Sequence, residues 1–293
     1  MGEWTLNLTP NEVRIVDGKS VIQETPMATR RRYKDDGDLE PYRLWDLKAK
    51  NVYLTGSAGQ LGQVWAAYLR AAGALVFELD INASRPVDVT SSESLVSAFE
   101  FYQDMVKPVL GGGKFLEPRS PAGLVCAAAL DAVPGTDGHA DWTTGWDDIL
   151  SVNLTGVKNA CDVIGGAMAE AGSGSIVLVS SMYGLVSPDQ RRYEDGFIKP
   201  AAYGATKAAL LNLTKYLATL WGPRGVRVNA ICYGSLDRAD YPDKFRQSME
   251  AAIPLGRMAR ADEWCGPLQF LLSDASSYMT GSVLTVDGGY TAW

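Results

Sequence analysis

From about residue 48 onward, short runs rich in β-branched and aromatic residues alternate with longer stretches whose apolar positions recur every three or four residues. The short runs predict strands at Asn51 to Thr55, Leu75 to Asp80, Gly123 to Ala128, Ser175 to Ser180, Val226 to Ile231 and Ser282 to Val286. Between them, helical periodicity runs near Gly62 to Ala72, near Trp146 to Glu170, and after Pro200. There Leu210, Leu213, Leu217 and Leu220 share a face until Gly222-Pro223 ends the pattern. Such alternation predicts an α/β fold, a doubly wound parallel sheet covered on both faces, in one domain over residues 46–293. No internal repeat or low-complexity tract interrupts it.

Two stretches depart from plain alternation. Residues 1–45 form an N-terminal extension in which Val13 to Val16, Asp17-Gly18 and Lys19 to Ile22 read as a β-hairpin, because Asp-Gly accepts the positive φ angles of a two-residue turn. A lone hairpin is marginal in water, so it is expected to pack on the main domain or on another subunit. The link from Asp80 to Asp88 is too short for a helical crossover between parallel strands. One covering helix is therefore expected to be missing there, with the extension available to replace it.

Composition narrows the chemistry. The chain is 46% hydrophobic and 21% charged, with a net charge of −7 and no long basic stripe, which argues against nucleic acid as a partner. The cluster Arg30-Arg31-Arg32-Tyr33-Lys34 is followed at once by Asp35 and Asp36 and reads as a solvated loop. His139 is the only histidine, so a zinc site built on several imidazoles is excluded and a Ser-His-Asp hydrolase would have to rest on it alone. The cysteines at 126, 161, 232 and 265 are dispersed without a CxxC pair, as buried thiols of a reducing compartment are. Neither a membrane span nor a secretory leader is visible, and a cytoplasmic, soluble protein is the expectation.

The first strand runs into Gly56-Ser57-Ala58-Gly59-Gln60-Leu61-Gly62 and then a helix. Glycines at 56, 59 and 62 permit a tight turn, close approach of backbone to a pyrophosphate, and packing of helix on strand; the helix N-terminus offers free amide donors. This is the phosphate-binding turn of a Rossmann-like fold. Asp80, closing the second strand, is placed to accept hydrogen bonds from adenosine ribose hydroxyls and to repel a 2′-phosphate, which favours NAD over NADP. Arg85, five residues on, keeps a phosphate possible. Further along, Ser181 ends a strand, and Tyr203 and Lys207 stand four apart at a helix start, so the ammonium can lie near the phenol. A free tyrosine titrates near ~10, and a nearby cation brings it down toward neutrality.

Thr55-Gly56 with its glycine run, Asp88-Val89, Asn153 in Val-Asn-Leu-Thr-Gly, Ser180-Ser181-Met182-Tyr183-Gly184, Tyr203-xxx-Lys207, Arg227-Val228-Asn229-Ala230 and Thr280-Gly281 with Val286-Asp287-Gly288-Gly289 together resemble the short-chain dehydrogenase/reductase family. The likeness covers about residues 46–293, in the right order. It implies that Tyr203 is the general acid/base, that Ser181 holds the substrate oxygen, and that Lys207 grips the nicotinamide ribose while lowering the tyrosine pKa. It further implies that Asn153 organises a helix irregularity and a water leading to Lys207. By the same resemblance the cofactor would lie against Gly56, Ser57, Gly59, Gln60, Leu61, Gly62, Asp80, Asp88, Val89, Ala127, Ala128, Tyr203, Lys207, Tyr233 and Gly234. A homodimer or homotetramer is also implied.

The departures from the family pattern matter. Gln60 replaces a glycine common in relatives with this C-terminal ending. Cys126-Ala127-Ala128-Ala129 stands where Asn-Asn-Ala-Gly is usual, which puts bracing between sheet and helix in doubt. Tyr233-Gly234 replaces Pro-Gly, setting Tyr233 near the nicotinamide as a stacking wall or steric limit. Ser181 and Tyr203 are 22 residues apart, a longer interval than the family's, and the excess around Pro188 to Gly196 is expected to line the substrate mouth. Arg191 and Arg192 could clamp a phosphate or carboxylate there, with Met182 and Tyr233 alongside. Asp237, Arg238, Asp240 and Tyr241 offer polar contacts that suit a sugar or hydroxy acid. The Asp287-Gly288-Gly289-Tyr290 ending resembles members from surface-polysaccharide and nonulosonate sugar gene clusters.

Taken together, the expectation is an NAD(P)-dependent oxidoreductase moving a hydride to or from a small polar substrate, with no metal. Its rivals are an NAD-retaining sugar epimerase or dehydratase, and an inactive dinucleotide-binding scaffold.

Overall fold

The computed structural model describes residues 11–16, 19–24, 41–106, 109–110, 114–115, 121–132, 141–193 and 197–293. The Asp17-Gly18 turn, the basic cluster at 30–34 and His139 lie outside them. Strands β1 (Asn11–Val16) and β2 (Lys19–Glu24) pair antiparallel with Val16 opposite Lys19, the register a two-residue turn dictates. A 3-10 turn at Pro41–Trp45 then leads into the domain. Gln269 Nε2 donates to the Trp45 carbonyl at 2.8 Å, and the Trp45 ring meets Phe270 at 5.5 Å, so this lead-in packs on a helix near the C-terminus.

The main sheet has six parallel strands: β3 (Asn51–Thr55), β4 (Leu75–Leu79), β7 (Gly123–Cys126), β8 (Gly174–Ser181), β9 (Val226–Tyr233) and β10 (Val283–Val286). Their order is β10-β9-β8-β7-β3-β4. Two short strands, β5 (Val109–Leu110) and β6 (Lys114–Phe115), pair with each other between β4 and β7. The chain builds outward one way from β3 to β4 and then the other way from β7, so the order reverses between β3 and β7. At such a point the carboxyl ends of the strands open a crevice.

Because both faces are covered, the strands read as continuous apolar runs rather than alternating ones. Val52, Tyr53 and Leu54 are all fully buried, Tyr53 toward one core and its two neighbours toward the other. One core packs α1 (Gln60–Ala71) and α8 (Cys265–Leu272) on the sheet through Trp65, Leu69, Leu268 and Leu271. The other packs α2 (Ser92–Met105) and α6 (Ala201–Trp221) through Leu95, Leu210 and Leu217. It is completed by one long helix in three α segments, α3 (Trp146–Leu150), α4 (Val157–Ala160) and α5 (Gly166–Ala171), separated by π turns at Ser151–Gly156 and Cys161–Gly165. Each fully buried leucine in these layers contributes on the order of 2 kcal/mol. Arg227 and Asn229 fasten β9 to the segment after α8. The guanidinium donates to the carbonyls of Leu271 and Ser273 at 2.9 and 3.1 Å, and Asn229 Nδ2 donates to Met279 O at 2.9 Å.

The expected loss of a covering helix after Asp80 is corrected. The 80–88 segment is no strand-to-strand crossover: it folds back on itself, with Val87 N donating to Asp80 O at 2.9 Å, and leads into α2. That helix covers the edge of the sheet, where Tyr102 donates to Glu78 O at 3.0 Å and Gln103 to the Tyr53 hydroxyl at 2.9 Å. Ser91 caps α2 by accepting the Ser94 amide.

A third apolar cluster roofs the crevice. It joins Met182, Tyr183, Tyr193 and Phe197 to Phe245 and Met249 of α7 (Asp243–Glu250), and to Tyr290.

Candidate active site

The crevice at the β3/β7 reversal holds a cavity of about 700 Å³, within the range of small-molecule and cofactor sites. One end is built by the glycine turn. Gly56 has φ +71°, and a Cβ there would lie 2.7 Å from Ala128 N, while a Cβ on Gly62 would lie 2.1 Å from Gly56 O. Only glycine lets α1 start this close to the turn. No side chain caps the N-terminus of α1, which leaves its first amides free at the cavity wall.

Asp80 closes β4 and lines the same wall. Its two oxygens accept from Ala58 N at 3.0 Å and Asn82 N at 2.8 Å, which fixes the carboxylate while leaving lone pairs for a ligand. Arg85 is turned away: it lies 4.1 Å over the Phe101 ring and donates to Ser97. Asp88 and Val89 line the cavity, Asp88 held by Thr90 at 2.8 Å. Buried Ser57 Oγ has no protein partner, and neither do the indole nitrogens of Trp65 and Trp264, two cavity-lining residues. A dinucleotide fits these features: bare helix amides for its phosphates, an acid for a ribose, and aromatic walls.

Ala127 and Ala128 also line the cavity, and their amides both donate to Thr55 Oγ1, at 3.0 and 3.1 Å. The bracing placed in doubt by the missing asparagines is supplied from the other side. Asn153 sits in the first π turn, fully buried, and clasps Leu130 by accepting its amide at 2.7 Å and donating to its carbonyl at 2.9 Å. Its side chain therefore holds the loop, and Val152 rather than Asn153 faces the cavity. The helix irregularity expected around Asn153 is present as that π turn.

Ser181, Met182, Tyr203 and Lys207 come together at the cavity floor. Ser181 ends β8, and Tyr203 and Lys207 lie one turn apart at the start of α6. Lys207 Nζ stands 5.5 Å from the centre of the Tyr203 ring and donates to Val179 O at 2.8 Å. Burial pulls this amine down to about 8. The phenol behaves opposite to the sequence expectation: it is held above its ordinary value, first by burial and then by the Asp131 carboxylate, although the Ser181 hydrogen bond pulls it down. Burial is the main reason, and the Lys207 ammonium meanwhile donates to the Val179 carbonyl.

Tyr233 and Gly234 line the cavity as expected of them. The Tyr233 ring stacks on Trp264 at 4.4 Å and leans on Trp65 at 5.6 Å, and its hydroxyl donates to Trp264 O at 2.8 Å, so it is a fixed wall. Gln60 and Leu61 lie at the opening, whereas the Ser57 side chain does not line it.

Arg191 and Arg192 are not part of the cavity, which corrects their expected role as a substrate clamp. Arg191 is exposed and chelates Asp189, while Arg192 reaches Asp189 and Ser248 O. Both charges are spent within two or three residues of Asp189, on the outer side of the inserted segment. From that segment it is Tyr193 that enters the wall, donating to the Tyr183 hydroxyl at 2.8 Å.

Several cavity residues escaped the sequence reading: Trp65, Asp131, Lys199, Phe245 and Trp264. Lys199 was detectable as a lone cation in the otherwise apolar run Phe197-Ile198-Lys199-Pro200-Ala201, since an amine there needs a partner.

No helix among the described residues is long and apolar enough to cross a membrane. A family model described as enoyl-(acyl carrier protein) reductase matches residues 62–291. The D-threitol dehydrogenase of Mycolicibacterium smegmatis is 31% identical over 271 residues, covering 84% of this chain and 94% of that protein. The cis-4-hydroxycyclohexanecarboxylate dehydrogenase of Sinomonas cyclohexanicum is 38% identical over 172 residues, 58% of this chain and 65% of that one. A short-chain dehydrogenase from Leptospira borgpetersenii, solved with bound NAD+, superposes with a TM-score of 0.71 at 27% identity, covering 84% of this chain and 94% of the other.

Proposed function

The chain belongs to the short-chain dehydrogenase/reductase family, and on that premise we propose that it interconverts a secondary alcohol and a ketone on a small polar substrate, a sugar or sugar derivative, using NAD. The observation that carries the reading is the convergence of Ser181, Tyr203 and Lys207 on the floor of the cavity that the glycine turn opens. When bound, a nicotinamide dinucleotide supplies the acceptor or donor of the hydride and, oxidised, a positive charge near the phenol.

This chain's residues do the rest. The free amides at the start of α1 take the phosphates, and Asp80 takes the ribose hydroxyls. Arg85, the basic residue nearest in sequence, is occupied by Phe101 and Ser97 rather than turned to Asp80, which supports NAD over NADP. Ser181 donates a hydrogen bond to the reacting oxygen. Tyr203 exchanges the hydroxyl proton of that oxygen, removing it when the alcohol is oxidised and returning it when the ketone is reduced. Lys207, anchored on Val179 O, retains donors for a cofactor ribose. The Tyr233–Trp264–Trp65 stack and the roof of Tyr183, Tyr193 and Phe245 keep water from the reacting centre. The named activity of the D-threitol relative agrees with a polyol substrate.

The test follows NADH formation over a panel of alditols and other secondary alcohols. Tyr203→Phe is expected to lose roughly a thousandfold or more in kcat, since general acid/base help alone contributes 10²–10⁴. NAD+ affinity by calorimetry should stay within a few-fold. Wild-type turnover by the variant, with cofactor bound, overturns the proposal.

A further inference from the structure

The Asp131–Lys199 ion pair lies outside every role assigned above. Lys199 is 5% exposed, and its amine meets both oxygens of Asp131 at 2.6 Å and donates to Ala132 O at 2.7 Å. An ammonium carries three protons, and its two hydrogen bonds, to Asp131 Oδ2 and to Ala132 O, use two of them, Oδ1 adding only an ion-pair contact. Both residues line the cavity, and Lys199 Nζ stands 5.0 Å from the centre of the Tyr203 ring. Burying the Lys199 ammonium against a half-exposed carboxylate is costly, and apolar residues would brace this loop at least as well. The position of the pair beside the general acid/base gives it another use.

Resting on the oxidoreductase reading, we propose that Asp131 and Lys199 are the substrate-recognition half of the site and read a hydroxyl next to the reacting one on a neutral polyol. With the reacting oxygen on Ser181 and Tyr203, the pair, whose amine stands 5.0 Å from the Tyr203 ring centre, is placed to meet a neighbouring hydroxyl. Asp131 has lone pairs to accept from a hydroxyl, and Lys199 has a proton to donate to one. A hydroxyl is both donor and acceptor and satisfies both partners, whereas a carboxylate or phosphate accepts only and faces the Asp131 charge. Arg238, a further cation lining the cavity beside Lys199 and Lys207, is no anion site either: it chelates Asp240 and lies over the Tyr241 ring. The substrate end is thus balanced in charge, and it selects neutral, hydroxyl-bearing molecules over hydroxy acids and over alcohols without a neighbouring hydroxyl.

The experiment compares xylitol, its aldonate xylonate, and 2-butanol as substrates. The enzymes are wild type, Asp131→Asn, and the double variant Asp131→Asn/Lys199→Gln, which removes both charges and leaves no unpaired ion to unfold the protein. For wild type, kcat/KM should be at least about tenfold higher for xylitol than for either comparison substrate. In the double variant the xylitol to 2-butanol ratio should fall about tenfold or more, through KM rather than kcat, because lost hydrogen bonds to a substrate hydroxyl act on binding. In Asp131→Asn, the freed Lys199 cation should raise the xylonate to xylitol ratio. A purely structural pair would shift all three substrates together, and that outcome overturns the proposal, as does a wild-type preference for xylonate. Wild-type enzyme that oxidises only alcohols lacking a second hydroxyl overturns the role of the pair and leaves the oxidoreductase reading standing. NAD+ binding without turnover of any secondary alcohol overturns both.

Discussion

Replacing Lys207 by methionine should make the folded protein more stable at neutral pH while abolishing its activity. The amine is 3% exposed, and burial lowers its pKa from 10.5 to about 8. That gap corresponds to about 3 kcal/mol. Between the two values the unfolded chain binds the proton and the folded chain does not, so wild-type stability rises with pH across this window. Below about 8 the amine is charged in both states and the full burial penalty is felt. Methionine removes that penalty but also the Nζ bond to Val179 O, worth about 1 kcal/mol. The variant is therefore expected to be about 2 kcal/mol more stable than wild type at pH 7, an advantage that shrinks from pH 8 upward and reverses at about pH 9.5. Urea unfolding of both proteins at a series of pH values from about 7 to 10.5 reads this directly, as two curves that converge and cross. Parallel curves, or a variant already less stable at pH 7, would refute the reasoning.

Three further outcomes can be checked in the same preparations. Gly62→Ala forces a methyl to within 2.1 Å of Gly56 O, so the glycine turn must open. A stability loss of about 1–3 kcal/mol and an NAD+ affinity at least about tenfold weaker are expected, by thermal melting and calorimetry. Asp80→Ala should remove the repulsion toward a 2′-phosphate and bring the NADP+ to NAD+ ratio of kcat/KM up by about tenfold or more; an unchanged ratio would separate Asp80 from cofactor choice. Arg191→Ala, at a side chain spent on Asp189 outside the cavity, should leave kcat/KM unchanged and stability within about 0.5 kcal/mol, and a large rise in KM would return this arginine to the substrate site.

How much of this was legible in the chain depended on how local each signal is. All six main strands were readable because parallel strands buried on both faces are continuous apolar runs, as Val52 to Leu54 illustrate. The turn at Gly56 to Gly62 and the Tyr203/Lys207 pair were readable because each is complete within a few residues. Asp131 and Lys199 are 68 positions apart, and neither residue type is unusual alone. The rotation of Arg191 away from the cavity was equally hidden, because a competing carboxylate two residues away decides it. The short 80–88 link misled for a related reason: length alone does not tell a crossover from a loop that hydrogen-bonds to itself and hands over to α2.

The π turn at Ser151–Gly156 has an evolutionary consequence. Such a turn accommodates one residue more than an α turn of the same height, and each residue advances a helix by about 100°. Deleting one residue would regularise the helix and leave Val157 and Ile164 in their layer, but it would pull Asn153 off Leu130. The irregularity therefore acts as a ratchet: lineages that carry it can change the side chains around it, but no single deletion removes it without releasing the loop that borders the reacting centre.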